Sequence, residues 1–280
     1  MLALGVAALL FLVPVRESVS VTGTYAQGLG TVHESSSVTV PCARGLSSGL
    51  AADGPNSTAA MESESAPVAQ TVEPTQIPRL DNGEIIVTSH FAGHVLAAHM
   101  FGVVEAPPET VWTVLTDINR WSHFGIPGLH ESRLIPEERA DELTLFRGKP
   151  SYKMRDFVRQ QIPLISLPRK LGGMYEALAF QYYDFPWPVS DRWVLLKVSH
   201  NERQRRAGAF KASWVMVKGN VKTVTGYFLV TPFKNNPDRA LVSYQIDSDA
   251  GISVPRFLLR YGTNRILPKV MQALRRESKE

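Results

Sequence analysis

The chain has almost no cysteine: among its 280 residues there is one, Cys42. A lone cysteine forms no internal disulfide, and without a CxxC partner it offers neither a zinc site nor a redox pair. It lies in a Ser/Gly-rich stretch and reads as a surface thiol. Catalytic signatures are also missing. There is no HExxH, no Ser/His/Asp arrangement and no carboxylate pair at a working spacing, since Glu137-Glu138 reads as an exposed turn. No unit recurs at a fixed period, which excludes a solenoid or propeller. No zinc-finger, helix-turn-helix or aromatic–basic RNA pattern is present, so nucleic acid is not an expected partner. The basic residues near the C-terminus (Arg256, Arg260, Arg265, Lys269, Arg275 and Arg276) fit the solvated side of an amphipathic helix.

What is present is a substantial core. Apolar residues make up 44% of the chain and charged residues 20%, enough for one good-sized folded domain. Of 30 basic and 26 acidic residues, 3 and 6 fall in residues 1–80, leaving 27 and 20 in the rest. That mild basic excess favours anionic surfaces such as phospholipid headgroups, and suits simple solubility equally well.

Residues 1–15, MLALGVAALLFLVPV, form a continuous apolar run. It is short for a membrane span, which needs about 20 residues, and matches the apolar region of a secretory signal. No basic residue precedes it, and the best cleavage site, Thr24-Tyr25-Ala26, lies some way on. Residues 1–26 are therefore read as a signal-peptide-like or anchor segment. An exported or periplasmic protein is the first expectation, with an anchored or cytoplasmic one as alternatives. Residues 27–80 are rich in Ser, Thr, Gly, Ala and Pro and cannot bury enough surface to offset their ordering entropy, so a disordered linker is expected.

The folded part is expected over 81–280, with order starting near Gly83. EIIVTSHF reads as a first strand and His94 to Ala106 as a long second one. Pro107, Pro108 and Glu109 mark a helix start, since proline loses nothing in a first turn and an acid suits the positive end of the helix dipole. Val111, Val114 and Leu115 share its apolar face, and it should end near Asp117. His130 to Ile135 reads as a short strand. The region 137–180 is mixed: its apolar PLISLP run at Ile162 to Leu167, flanked by Arg159, Arg169 and Lys170, suits a helical insert, a lid or a membrane-contact patch. Strands follow at 193–200, 209–217, 221–232 and 239–247 with short turns between them, which implies an antiparallel meander. A long last helix begins after Ser253 and Pro255, and Pro268 should bend or split it.

One stretch stands apart. YYDFPWPVSDRW, residues 182–193, holds five aromatics, two prolines, two aspartates and one arginine. It reads as a sheet edge and part of a pocket wall, with Arg192 entering the next strand beside an acidic partner.

Together these segments carry a resemblance. A strand followed by Ala106-Pro107-Pro108-Glu109-Thr110-Val111-Trp112, then Leu115-Thr116-Asp117 and Trp121, resembles the opening of START-related lipid-transfer domains. Those belong to the SRPBCC superfamily, with the birch-pollen-allergen-like proteins, polyketide cyclases and coenzyme Q-binding proteins. Phe185 to Arg192 looks like the WP-small-polar-R segment of START domains. Gly226-Tyr227-Phe228, and Asp249 to Pro255 entering the last helix, are similar to the same family. The likeness spans about residues 83–277, with 137–180 as an extended departure.

The resemblance implies an α+β helix-grip fold: a curved antiparallel β-sheet wrapped around a long C-terminal α-helix, with an internal apolar cavity. It implies that the chain binds a hydrophobic small molecule (lipid, sterol, quinone or polyketide), with transfer as a further role; a monomer is expected, and the Ile162 to Leu167 patch suits transient membrane contact. Cavity candidates are Phe146, Tyr152, Tyr182, Trp187, Arg192, Trp214, Tyr227, Tyr244, Leu258 and Tyr261. No cofactor, metal or catalytic residue is assigned. The alternative is a cyclase or hydrolase on the same fold. For that, His99 and His123 are the acid–base candidates, and the apolar neighbours Ala97 and Phe101 suggest that His99 faces inward.

Overall fold

The computed structural model describes residues 72–280 except 93, 185–190, 250, 252–255 and 280, and it does not describe the side chains of 256–259 and 261. Eight antiparallel strands form one sheet: β1 (Ile86–Ala92), β2 (Val95–Val104), β3 (Leu129–Ile135), β4 (Met174–Tyr183), β5 (Arg192–Asn201), β6 (Phe210–Gly219), β7 (Thr223–Phe233) and β8 (Asn236–Asp249). Across the sheet the order is β1-β2-β8-β7-β6-β5-β4-β3, so β1 and β3 are open edges. Among the described residues four α-helices accompany it: α1 (Ile77–Asp81), α2 (Pro108–Thr116), α3 (Ser151–Gln161) and α4 (Arg256–Glu277). This is the α+β helix-grip fold expected from the sequence.

The sheet has two apolar faces. On the inner face, Leu96, Ala98 and Met100 of β2 and Val242, Tyr244 and Ile246 of β8 pack with Ile266, Val270, Met271 and Leu274 of α4. On the outer face, Phe180 and Tyr182 of β4 and Trp193 and Leu195 of β5 meet Met154 and Val158 of α3 and Leu143 of a 3-10 helix at Glu137–Phe146. Double coverage explains the near-continuous apolar run WVLL in β5, since a strand buried on both faces has no polar side. Where the second layer stops, alternation returns: Val215 and Val217 of β6 are each 48% exposed on the outer face.

The stretch 137–180, mixed in sequence, becomes the 3-10 helix, α3, an irregular crossing and most of β4. The Arg133 guanidinium donates through Nη1 to the main-chain oxygens of Val158, Arg159 and Ile162 at 3.4, 3.4 and 3.1 Å, capping α3 where its unpaired carbonyls collect. Order also begins earlier than Gly83. A 3-10 turn at Pro74–Gln76 leads into α1, because Leu80 is fully buried with Ile86, Phe101, Val103 and Phe233. α4 runs through Pro268 without splitting. The lost bond and ring clash cost about 3 kcal/mol in an isolated helix, and the burial of Leu267, Val270 and Met271 around it holds the helix together. Two of its arginines, offered by the sequence as a solvated face, reach main-chain oxygens instead: Arg275 Nε to Val103 and Arg276 Nη2 to Phe124, both at 2.8 Å.

Two glycines allow close approaches. A side chain at Gly102 would run into Met271 of α4, with the nearest atom 2.7 Å away. One at Gly226 would lie 2.3 Å from the Gln245 main-chain oxygen and 2.6 Å from Cζ2 of Trp214. The Trp214 ring therefore lies over bare backbone. Gly226→Ala is expected to destabilise the protein by about 2 kcal/mol or more, because strand and ring must both move. Urea unfolding of the variant checks this, and an unchanged midpoint would show that the approach is not tight.

Candidate functional site

Strand pairing sets which side chains look inward. Tyr183 pairs with Arg192, Gln181 with Val194, and Tyr244 sits opposite both Met100 and Phe228. The inner face thus carries a buried polar group among aliphatic neighbours: Gln181, Tyr183, Arg192, Trp214 and Tyr244. The Tyr183 hydroxyl donates to Gln181 Oε1 at 2.9 Å. Burial, and then the nearby Tyr244 phenol, push the Tyr183 hydroxyl well above its ordinary pKa. Burial pulls the Arg192 guanidinium below its usual value, and Asp191 works the other way. Arg192 Nη1 donates to the Asp191 main-chain oxygen at 3.2 Å, while the Asp191 carboxylate accepts from Tyr182.

Phe228 packs on Tyr244 with its ring tilted, at a centroid distance of 4.6 Å, and Trp214 stacks beside the tyrosine at 5.8 Å. Such clusters add dispersion and quadrupole contacts to their area burial. The Trp214 Nε1–H is buried and has no acceptor among the described residues. A buried donor without a partner costs about 1–3 kcal/mol.

The other cavity candidates separate by face. Tyr182 and Phe146 belong to the outer core under α3, because Tyr182 has the opposite parity to Tyr183 and Phe146 packs on Phe157. Tyr227 also points outward, half-buried beneath the Lys211 ammonium at 5.2 Å from the ring centroid. Tyr152 is exposed on α3. Trp187 lies outside the described residues, and Leu258 and Tyr261 belong to α4 with side chains that are not described. The sheet edge expected at YYDFPWPVSDRW is not found at its flanks, which end β4 and begin β5, both interior strands, and residues 185–190 between them lie outside the described residues.

Neither candidate histidine faces inward. His99 has the outer parity of Phe101 and Val103 and stacks on His90 at 6.1 Å. The apolar neighbours that suggested an inward side belong to the other apolar face. His123 is exposed and lines a surface cleft of about 470 Å³ with His130 and Arg159. Among the described residues, no three His, Cys, Asp or Glu side chains cluster as metal ligands would.

A second polar cluster was not foreseen. Glu202, just beyond β5, is fully buried. Its Oε1 accepts from Trp112 Nε1 at 2.8 Å, Tyr175 hydroxyl at 2.7 Å and Arg169 Nε at 2.7 Å. Burial raises the cost of its charge, yet these three donors outweigh it and hold the carboxyl below the usual range. His200 lies between Tyr175, stacked at 4.7 Å, and Trp112, edge-on at 5.8 Å. Burial depresses its pKa to about 4, against the opposing effects of a main-chain bond at Tyr175 and the Glu202 charge. Only the acid at the end of an apolar strand hinted at this in the sequence.

The buried polar group thus lies on the sheet face that α4 covers in this helix-grip fold. The chain belongs to the family described as "Polyketide cyclase / dehydrase and lipid transport", whose model matches residues 104–275. No curated protein matches the chain. Among solved structures, it is similar to a STAR-related lipid transfer protein fragment from Xanthomonas axonopodis, with 17% identity, coverage of 70% of this chain and 94% of that one, and a TM-score of 0.47. It is also similar to human StAR-related lipid transfer protein 5, with 12% identity, coverage of 71% and 83%, and a TM-score of 0.46. The Zhui aromatase/cyclase from Streptomyces sp. R1128 has 12% identity, coverage of 70% and 94%, and a TM-score of 0.42.

The depressed histidine makes a pH prediction. His200 must stay neutral in the fold, whereas the unfolded chain takes up a proton near the ordinary value of 6.5. Stability is therefore lost as the pH falls from about 6.5 towards 4, by roughly 3 kcal/mol in all. The lowered Glu202 carboxyl adds a loss in the same direction, beginning nearer its own ordinary value. His200→Phe keeps the ring stack and removes the proton. Its melting temperature is expected to fall less than that of the parent between about pH 7 and pH 4.5; equal falls would exclude His200 as the titrating group.

Proposed function

We propose that the chain binds a hydrophobic small molecule carrying a hydrogen-bond-accepting group between the inner face of the sheet and α4. The observation that carries this reading is the Trp214 indole N–H, buried on that face with no acceptor among the described residues. Buried donors in folded proteins are nearly always paired, and a carbonyl, carboxyl or ester oxygen of a ligand is the missing partner. The aliphatic residues beside it suit the ligand's apolar body, as pockets of this kind combine an apolar lining with few polar groups. Gln181, Tyr183 and Arg192 supply further polarity on the same face. The family includes both lipid carriers and cyclases by its description. Binding is favoured here because both histidines considered for acid–base work lie off this face.

The test is native mass spectrometry of the full chain against a fatty acid, a phospholipid, a sterol and a quinone. At least one should bind at one-to-one stoichiometry. Trp214→Phe is expected to weaken that binding by about 5- to 30-fold, the worth of one buried hydrogen bond, with little change in melting temperature. Arg192→Leu is expected to lower both binding and melting temperature. An unshifted mass with every ligand in the panel would sink the reading.

A further inference from the structure

Between α3 and β4, twelve residues, 162–173, form neither helix nor strand. Loops of this length inside a compact domain are uncommon, and they are often lids. This one crosses from one core to the other. Ile162 is buried in the outer core, while Ile165 and Leu167 pack against the main inner core. Pro163 and Pro168 stiffen the crossing by fixing their own φ and restricting the residue before each.

The crossing is lightly held. Clefts of about 280 and 190 Å³ flank it. The first lies against Thr113 and Thr116 of α2, and the second against Ala177 and Lys197. Leu164 and Leu171 face solvent, 65% and 66% exposed. The ends of the crossing are pinned, by Arg133 Nη1 on the Ile162 main-chain oxygen at 3.1 Å and by the Glu202 main-chain N–H on the Gly173 oxygen at 2.9 Å, and between them residues 163–169 are held by two polar tethers. Asn119 Nδ2 donates to the Ile165 main-chain oxygen at 2.9 Å, and Arg169 Nε donates to Glu202 at 2.7 Å. Arg169 Nη2 is buried without a hydrogen-bond partner among the described residues, so the second tether is incompletely satisfied. Its receptor is prepared for release, because Trp112 and Tyr175 still solvate Glu202 once Arg169 leaves. Opening removes the cation paired with Glu202, and the two neutral donors that remain lower the cost of leaving its charge buried.

We propose that residues 163–169 are the gate through which the hydrophobic ligand enters and leaves the inner core, with Arg169–Glu202 as its latch. This rests on the binding reading above. Lifting the segment withdraws Ile165 and Leu167 and opens the seam between α2 and the β3–β4 edge. A gate of this kind alters the rates of entry and exit by one common factor and leaves equilibrium affinity unchanged.

The test joins the segment to its neighbour. In the full chain with Cys42→Ser, Asn119→Cys and Ser166→Cys place two thiols on the same cleft. Uptake of NBD-labelled palmitate is followed by stopped-flow fluorescence, with thiol titration reporting ring closure. The oxidised protein is expected to take up the probe at least about tenfold more slowly than its reduced form. Arg169→Ala is expected to speed uptake and release equally by about tenfold, with Arg169→Lys between it and the parent and with Kd unchanged in both. Uptake by the fully oxidised protein at the reduced rate would overturn the gate and leave the binding reading standing. A change in Kd without a common change in both rates would reduce Arg169 to a structural role and also overturn the latch. Failure of every reduced form to bind any probe would remove the binding reading, and the gate with it.

Discussion

Leu195 and Leu196 are neighbours in β5, and both are fully buried on opposite faces of the sheet. A strand that hides both faces needs cover on both sides, and this requirement organises the molecule. α4 covers the inner face. The 3-10 helix at Glu137–Phe146 and α3 cover the outer face of β3 to β5. Covering the outer side forces the chain to leave the sheet after β3, build a second layer and return to start β4. The irregular crossing at 162–173 is the geometric consequence of that detour.

The return is secured electrostatically. Glu202 collects an indole, a phenol and a guanidinium at one end of β5, joining α2, the start of β4 and the crossing. A buried carboxylate is tolerated because its donors replace the water it has lost. The same burial keeps His200 neutral between two aromatic rings. The cluster thus makes the join specific at the cost of a sensitivity to acid. It also differs in kind from the inner-face group. The Glu202 carboxylate has its donors within the protein, whereas the Trp214 N–H has no acceptor among the described residues. That contrast separates a polar cluster satisfied within the protein from one that keeps a buried donor without an acceptor among the described residues.

Much of the architecture was legible in the residues. Pro107-Pro108-Glu109 marked the start of α2, Asp117 its end, and the turns after His200 marked the meander, because these signals act over a few residues. The region 137–180 was not legible. α3 carries its apolar side, Met154 and Val158, in its own residues and Gly172-Gly173 marks the turn into β4, but the layer that α3 covers and the path of the crossing depend on strands distant in sequence. The candidate site was half legible. Trp214, Tyr244 and Arg192 fall on the inner face, while Tyr182, Phe146 and Tyr227 do not. A period of two assigns residues to alternate faces, but it does not say which face is inside when both are apolar.

By itself, then, the sequence determined the element types and their order outside 72–82 and 137–180, the antiparallel meander and the family, because capping, turn chemistry and alternation are local. Tertiary structure alone decided which of two neighbouring tyrosines, Tyr182 or Tyr183, faces α4, since that depends on register between strands distant in sequence. It also decided the partners of Glu202, which come from α2, the crossing and β4 and lie up to 90 residues away. Contacts of such separation are set by the packing of whole layers, and no local pattern encodes them.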